Sequence, residues 1–344
     1  MPRWTSPSRG AGNSDIEYTR LHSRWPNERT ITNTISMVLD SQYSPFFIVG
    51  APRSGTTLLR LMLDAHSRLC IPPESHFIPE LVKQLKHDWT PEEFWTAISK
   101  HPRFVEWNLT LEAVRDKVCC ARANWGDVFD VVYREYAQRA GKLRWGDKTP
   151  GYVRHIRLLD GIFHDARIIH LIRDGRDVAC SLRSVPWYDG TIADCARYWR
   201  RLVEKGRRDG QRLDKKRYLE VRYEELVNDP ELILGDVCHF IGEQFEPQML
   251  RYYSRTEDLI PQHRMAWHEK TKRAVDDTSV ERWRRDLDAA DLMEFEAYAG
   301  RSLQRFGYQR AIKWSIKVAG TRFRRRLERA KTSLVASVVR GHKG

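Results

Sequence analysis

One stretch constrains the fold more than any other: FFIVGAPRSGTTLLRLMLDAH, residues 46–66. Its first five residues are an apolar, β-rich run of the length of a buried strand. A glycine-bounded turn follows, and Leu59, Met62 and Leu63 then recur at the three-to-four spacing of a helix. Strand, turn and helix in succession make an anion cradle, because backbone N–H groups of the turn and the helix N-terminus converge. The spelling approaches the nucleotide loop G-x-x-x-x-G-K-[ST] and then leaves it. Gly50 and Gly55 have the spacing and Thr57 supplies the hydroxyl, but Thr56 stands at the lysine position and the cation comes early, at Arg53. The loop lysine serves the β- and γ-phosphates, with a distal Asp sharing the metal ion. No strand here ends in a convincing metal-binding Asp. The loop therefore suits a 5′-phosphate group without a triphosphate tail.

The strand-turn-helix pattern recurs. In residues 167–183, Ile168, Ile169, Leu171 and Ile172 read as a strand, Asp174-Gly175 as the turn, and Asp177 onward as a helix. In residues 217–242, Tyr218, Leu219 and Val221 read as a strand, 228–230 as a break, and Leu232 to Ile241 as a helix. The alternation predicts an α/β fold, a parallel sheet flanked by helices, with ligands beyond the carboxyl ends of the strands. Residues 76–140 carry Trp89, Trp95, Trp107 and Trp125 among charged helical stretches and read as a helical insertion, with Thr90 and Pro91 opening one helix.

Residues 1–43 read as a polar N-terminal arm and residues 44–310 as the main domain. Residues 311–344 hold ten Lys/Arg and one acid, Glu328, with Ile316, Phe323, Leu327, Ala330, Leu334 and Val338 at helical spacing. This basic amphipathic helix has three readings: docking on its own domain, lying on an anionic membrane surface, or binding a partner.

The balance of 59 basic against 46 acidic residues favours anionic partners without choosing among them. No nucleic-acid-binding motif is present, so no nucleic acid is expected. Cys70, Cys119, Cys120, Cys180, Cys195 and Cys238 form no C-x-x-C pair and no zinc spacing, which favours free thiols in a reducing compartment. The first twenty residues lack the apolar core of a signal peptide and no apolar run spans a bilayer, so a cytoplasmic protein is expected.

PRSGTTLL, residues 52–59, followed by RDGRDVACS, residues 173–181, resembles the sulfotransferases that use 3′-phosphoadenosine 5′-phosphosulfate (PAPS). That resemblance implies a P-loop-like architecture, PAPS as donor, 3′,5′-bisphosphoadenosine as product, and no metal. It implies that Arg53, Ser54, Gly55, Thr56 and Thr57 hold the 5′ end and that Arg173 and Ser181 hold the 3′-phosphate. Leu63–His66, Glu74 and Ile78-Pro79 make the likeness closest to the branch containing protein-tyrosine sulfotransferases. There the catalytic glutamate falls on Glu74, a lysine on Lys148 within WGDKTP, an aromatic strand end on Tyr223 within VRYE, and a basic-Trp pair on Arg282-Trp283. His76 stands where that branch has Arg, and is the rival base to Glu74.

The resemblance implies transfer of a sulfuryl group to a hydroxyl-bearing acceptor: peptide tyrosine, carbohydrate, glycolipid or a small alcohol or phenol. Two other classes compete. A nucleotide kinase or NTPase with a degenerate loop would turn over ATP with magnesium. A non-enzymatic binder of acidic polymers would ignore PAPS.

Overall fold

The computed structural model describes residues 44–85, 88–259 and 269–311. The expected N-terminal arm and C-terminal basic helix lie outside them, apart from Ala311. Five strands, β1 (Phe46–Gly50), β2 (Leu69–Cys70), β3 (Arg144–Lys148), β4 (Arg167–Ile172) and β5 (Tyr218–Arg222), form a sheet in the order β2-β3-β1-β4-β5. Every pairing is parallel. The α/β expectation holds.

Why β1 lies at the centre follows from its composition. Phe46, Phe47, Ile48 and Val49 are all fully buried, as a strand covered on both faces requires. Their side chains alternate. Phe47 and Val49 join one core cluster with Ile168 and Ile172 of β4, while Phe46 and Ile48 join the other with Ile169 and Leu171. Each such side chain contributes roughly 1.5–3 kcal/mol relative to exposure.

Helices α1 (Thr56–Asp64), α2 (Phe77–Leu85), α3 (Pro91–Ile98), α4 (Leu111–Cys119) and α5 (Trp125–Arg139) lie between β1 and β3 in the chain. Thr90 caps α3 in a reciprocal box with Glu93, so the sequence signal for that start was sound. The insertion tryptophans Trp89, Trp95, Trp107 and Trp125 all pack in or against one core cluster. After β3 come α6 (Ile156–Ile162), α7 (Gly175–Leu182), α8 (Ile192–Gly210), α9 (Tyr223–Asn228), α10 (Pro230–Ile241) and α11 (Ala289–Arg305). Helix α7 begins two residues earlier than its sequence suggests, because Asp174 caps it by accepting from Arg176 N–H.

Strand β3 was not legible. Its sequence, RWGDK, is mostly polar, yet all five residues are buried. Arg144 donates to the Ile241 carbonyl and pairs with Glu243 at 3.3 Å. Trp145 Nε1 donates to Asp130 at 2.8 Å, and Tyr133 donates to Asp147 at 2.7 Å. Gly146 is required, since an added Cβ would stand 2.4 Å from the Phe46 ring. A polar strand is buried here because each polar side chain finds a partner. Asp147 stands near the strand's carboxyl end, where no candidate acid had been recognised; its carboxylate serves Tyr133.

The topology also places the site. After β1 the chain enters α1, whose side chains join the cluster of Phe46 and Ile48. After the adjacent β4 it enters α7, whose side chains join the other cluster. Neighbouring strands thus send their helices to opposite faces. A crevice opens between the two loops, at the switch point where such sheets bind ligands.

Candidate active site

The β1–α1 loop turns on two left-handed residues, Arg53 at φ 70° and Gly55 at φ 94°. Gly55 is dictated twice over: by its backbone, and by space, since an added Cβ would lie 2.4 Å from Tyr223 Cδ2. Arg53 adopts the left-handed region with a full side chain, a strain that functional loops retain. Ser54 N–H closes the turn on the Ala51 carbonyl at 3.1 Å. The first N–H groups of α1 have no intrahelical acceptor, and Gly55 supplies no side-chain cap. Those donors and the helix dipole remain for an anion.

Across the crevice, Arg173 immediately follows β4. Its guanidinium carbon lies 4.3 Å from the Tyr223 ring centroid, and Nη1 donates to the Arg53 carbonyl at 3.2 Å. Nη2 donates to the Ser279 carbonyl, and Asp177 stands 3.8 Å away. Ser181 accepts from Arg53 Nε at 3.0 Å, so the two sequence motifs meet directly. Arg282 completes the wall and pairs with Asp286 at 2.6 Å. These residues enclose a cavity of about 340 Å³. Burial lowers the Arg53 pKa, and the nearby Arg173 and Arg282 charges lower it further. Burial pushes the Asp177 carboxyl up to about 6 against the pull of Arg173.

A second cavity, of about 630 Å³, opens on the other side of the loop and contains Glu74, His76, Tyr152 and Trp187. Arg53, Thr56 and Thr57 line both cavities. The Glu74 segment is tied down from two sides. Trp107 Nε1 donates to the Pro73 carbonyl at 3.1 Å, and Ser75 N–H donates to Thr149 Oγ1 at 3.1 Å. His76 sits at φ 55° and places Nε2 3.0 Å from Glu74 Oε2. Lys148, the last residue of β3, donates to the other Glu74 oxygen and lies 3.3 Å from Thr57 Oγ1. Burial alone would raise the Glu74 pKa; Lys148 and His76 outweigh it and hold the carboxyl far below the usual range. Burial lowers the Lys148 pKa while Glu74 opposes the shift.

The structure therefore brings Arg53, Gly55, Thr56, Thr57, Arg173, Ser181, Tyr223 and Arg282 to one crevice, whereas Ser54, in the same loop, is fully buried and does not line it. Glu74 and Lys148 occupy its second side, joined through Thr57. The loop has no lysine of its own, yet an ammonium reaches its threonine from the neighbouring strand. Lys270, Ser279 and Tyr252 also line the first cavity and were not singled out from sequence. Lys270 donates to Ser279 Oγ at 2.7 Å. Only the basic character of residues 270–273 hinted at it. Among the described residues no helix is long and apolar enough to cross a membrane.

A parallel sheet with an anion loop at its switch point, a guanidinium facing that loop and a carboxylate-lysine pair beside it define a P-loop-like group-transfer architecture. The chain belongs to the sulfotransferase family, whose family model matches residues 45–247. It is 27% identical over 215 residues to protein-tyrosine sulfotransferase A of Caenorhabditis elegans, covering 61% of this chain and 53% of that protein. The chain thus spans about half the length of this relative. It is 28% identical over 296 residues to nodulation protein NoeE of Sinorhizobium fredii, covering 77% and 66% of the two chains. The sulfotransferase domain of the Synechococcus PCC 7002 olefin synthase superposes with a TM-score of 0.55 at 29% identity, covering 78% of this chain and 96% of that domain.

Proposed function

We propose that this protein transfers a sulfuryl group from PAPS to an acceptor hydroxyl. The observation that carries the reading is the meeting of two cavities at Arg53, Thr56 and Thr57, one rich in phosphate-type donors and the other holding a carboxylate and an ammonium.

The first cavity's chemistry fits the donor. Among the described residues, the buried Nε of its Arg173 has no hydrogen-bond partner within the protein, nor has the buried Oγ of Ser54 in the adjoining loop. Buried polar atoms of this kind are satisfied by a ligand or by water. The loop N–H groups, Ser54, Thr56, Thr57 and Arg53 would hold the 5′ end. Arg173, Ser181 and Arg282 would hold the 3′-phosphate, where guanidinium forks suit phosphate oxygens. Tyr223 offers an aromatic face near the same cations.

PAPS supplies the sulfuryl group, and its phosphate side is released as 3′,5′-bisphosphoadenosine. Glu74 accepts the proton of the acceptor hydroxyl, a role worth about 10²–10⁴ in rate. While paired with Lys148 its carboxyl is too weak a base for that task. As Lys148 turns toward the charge developing at the loop, Glu74 loses its partner and its basicity rises. Lys148 and Arg53 stabilise that charge, and His76 orients the carboxylate.

Incubation of the chain with sulfur-labelled PAPS and a fractionated cell extract tests the reading. Label should enter an organic product, and that transfer should disappear in Glu74→Gln. Magnesium-dependent ATP turnover with no response to PAPS would replace this reading with that of an NTPase.

A further inference from the structure

Helix α8 carries an unusual surface. Arg197, Arg201, Lys205 and Arg208 recur at intervals of four, four and three residues, which places them along one side of the helix over about 16 Å. They line a groove of about 800 Å³ together with Arg200, Tyr188 and Tyr198. Two acids share the groove, and both have local partners. Asp194 joins Thr191 in the α8 capping box and also pairs with Arg197, while Glu204 accepts from Ser302 Oγ at 2.5 Å. Lys205 and Arg208 share one acid, Asp209, Arg208 at 3.8 Å, and Arg201 and Arg208 are exposed. The groove therefore keeps a positive excess.

This groove adjoins the Glu74 cavity. Tyr198 lines both. Arg154, from the Glu74 side, lies 5.7 Å from the Tyr198 ring centroid, and Arg201, from the groove side, lies 5.9 Å from it. Trp187 lines the Glu74 cavity with half its surface exposed, and its neighbour Tyr188 lines the groove. The two rings meet edge to face at 6.4 Å. Cations alternating with aromatic faces suit a chain that is both anionic and built from rings with an apolar C–H face.

We propose that α8 is an extended acceptor-binding track for an acidic carbohydrate, whose reacting hydroxyl enters the Glu74 cavity. Its carboxylate groups run along Arg197, Arg201, Lys205 and Arg208, and sugar faces pack on Trp187 and Tyr198. The inference rests on the sulfuryl-transfer reading of the site. An acidic peptide would satisfy the cations but makes less use of the exposed indole.

Calorimetry with the full chain, saturated with 3′,5′-bisphosphoadenosine, tests the proposal. The probes are an octamer of galacturonic acid, a neutral maltooctaose and a Glu-rich peptide containing tyrosine. The uronic octamer should bind more tightly than both others, weaken with added salt, and weaken at least tenfold in Arg201→Ala/Arg208→Ala. Nucleotide affinity should not change in that variant. Equal binding of the charged and neutral sugars, or no effect of the double variant, would overturn the track. Tighter binding of the peptide would overturn the carbohydrate assignment. Failure of the nucleotide itself to bind would instead remove the underlying reading of the site.

Discussion

The Lys148 ammonium lies between the Glu74 carboxylate and the Thr57 hydroxyl, 3.3 Å from the latter, although the three residues come from β3, a proline-rich loop and α1. This contact joins the two sides of the crevice. It predicts that Lys148→Ala slows transfer by about 10²–10³, the usual cost of one preorganised charge-stabilising donor. Affinity for 3′,5′-bisphosphoadenosine should change far less. Steady-state kinetics and calorimetry on the same variant separate the two effects, and equal losses would make Lys148 a binding residue only.

Glu74→Gln keeps the shape of the side chain and removes its charge. Turnover should fall by about 10²–10⁴ while nucleotide binding persists. Should the variant stay active, the base would be His76, and His76→Gln would then be the inactive enzyme.

Asp177 gives a pH signature. Its folded-state pKa is raised to about 6 from 3.8, chiefly by burial. Between those values the folded chain holds a proton that the unfolded chain has released. This carboxyl therefore makes stability fall as pH rises through that window. Asp177→Asn keeps an acceptor for the Trp283 N–H, which donates to Asp177 at 2.9 Å, and removes the titration. Relative to the parent, the variant should gain on the order of 2 kcal/mol in denaturation experiments between pH 4 and pH 7. A pH-independent difference would contradict the assignment.

Gly55 and Tyr223 are predicted to be energetically coupled. Gly55→Ala places a Cβ in a left-handed backbone, at about 1–2 kcal/mol, and drives it into the Tyr223 ring. Nucleotide affinity should drop at least tenfold. In a double-mutant cycle read by chemical denaturation, Tyr223→Ala should cost less in the Gly55→Ala background than in the parent. Additive costs would show that the ring moves aside freely.

Thr90→Ala is a control away from the crevice. Losing the Thr90–Glu93 box should lower stability by about 1 kcal/mol with nucleotide affinity unchanged.

Much of the architecture was legible because local signals agreed with the global fold. The apolar runs of β1 and β4, the glycine turn, and the Thr90-Pro91 start each report a local preference that tertiary packing keeps. β3 was hidden because its burial depends on partners distant in sequence: Ile241 for Arg144, Asp130 for Trp145, Tyr133 for Asp147. Lys148 could be singled out only through a family likeness, for the same reason. Its contact with Thr57 links the ends of the adjacent strands β3 and β1, which are far apart in the chain, and leaves no periodic trace. Lys270 and Ser279 were missed because they reach the cavity from a segment without regular pattern. The hydrogen bond from Arg53 to Ser181 likewise belongs to the fold and not to either motif.

The central claim is that the loop at Arg53 and the guanidinium at Arg173 grip opposite ends of one adenosine-type nucleotide. Calorimetric titration with 3′,5′-bisphosphoadenosine, beside adenosine 5′-monophosphate and magnesium ATP, tests it most directly. The account predicts one saturable site per chain, at least tenfold preference for the bisphosphate over the monophosphate, and loss of that preference in Arg173→Ala. No binding of the bisphosphate, or tighter binding of magnesium ATP, would contradict it.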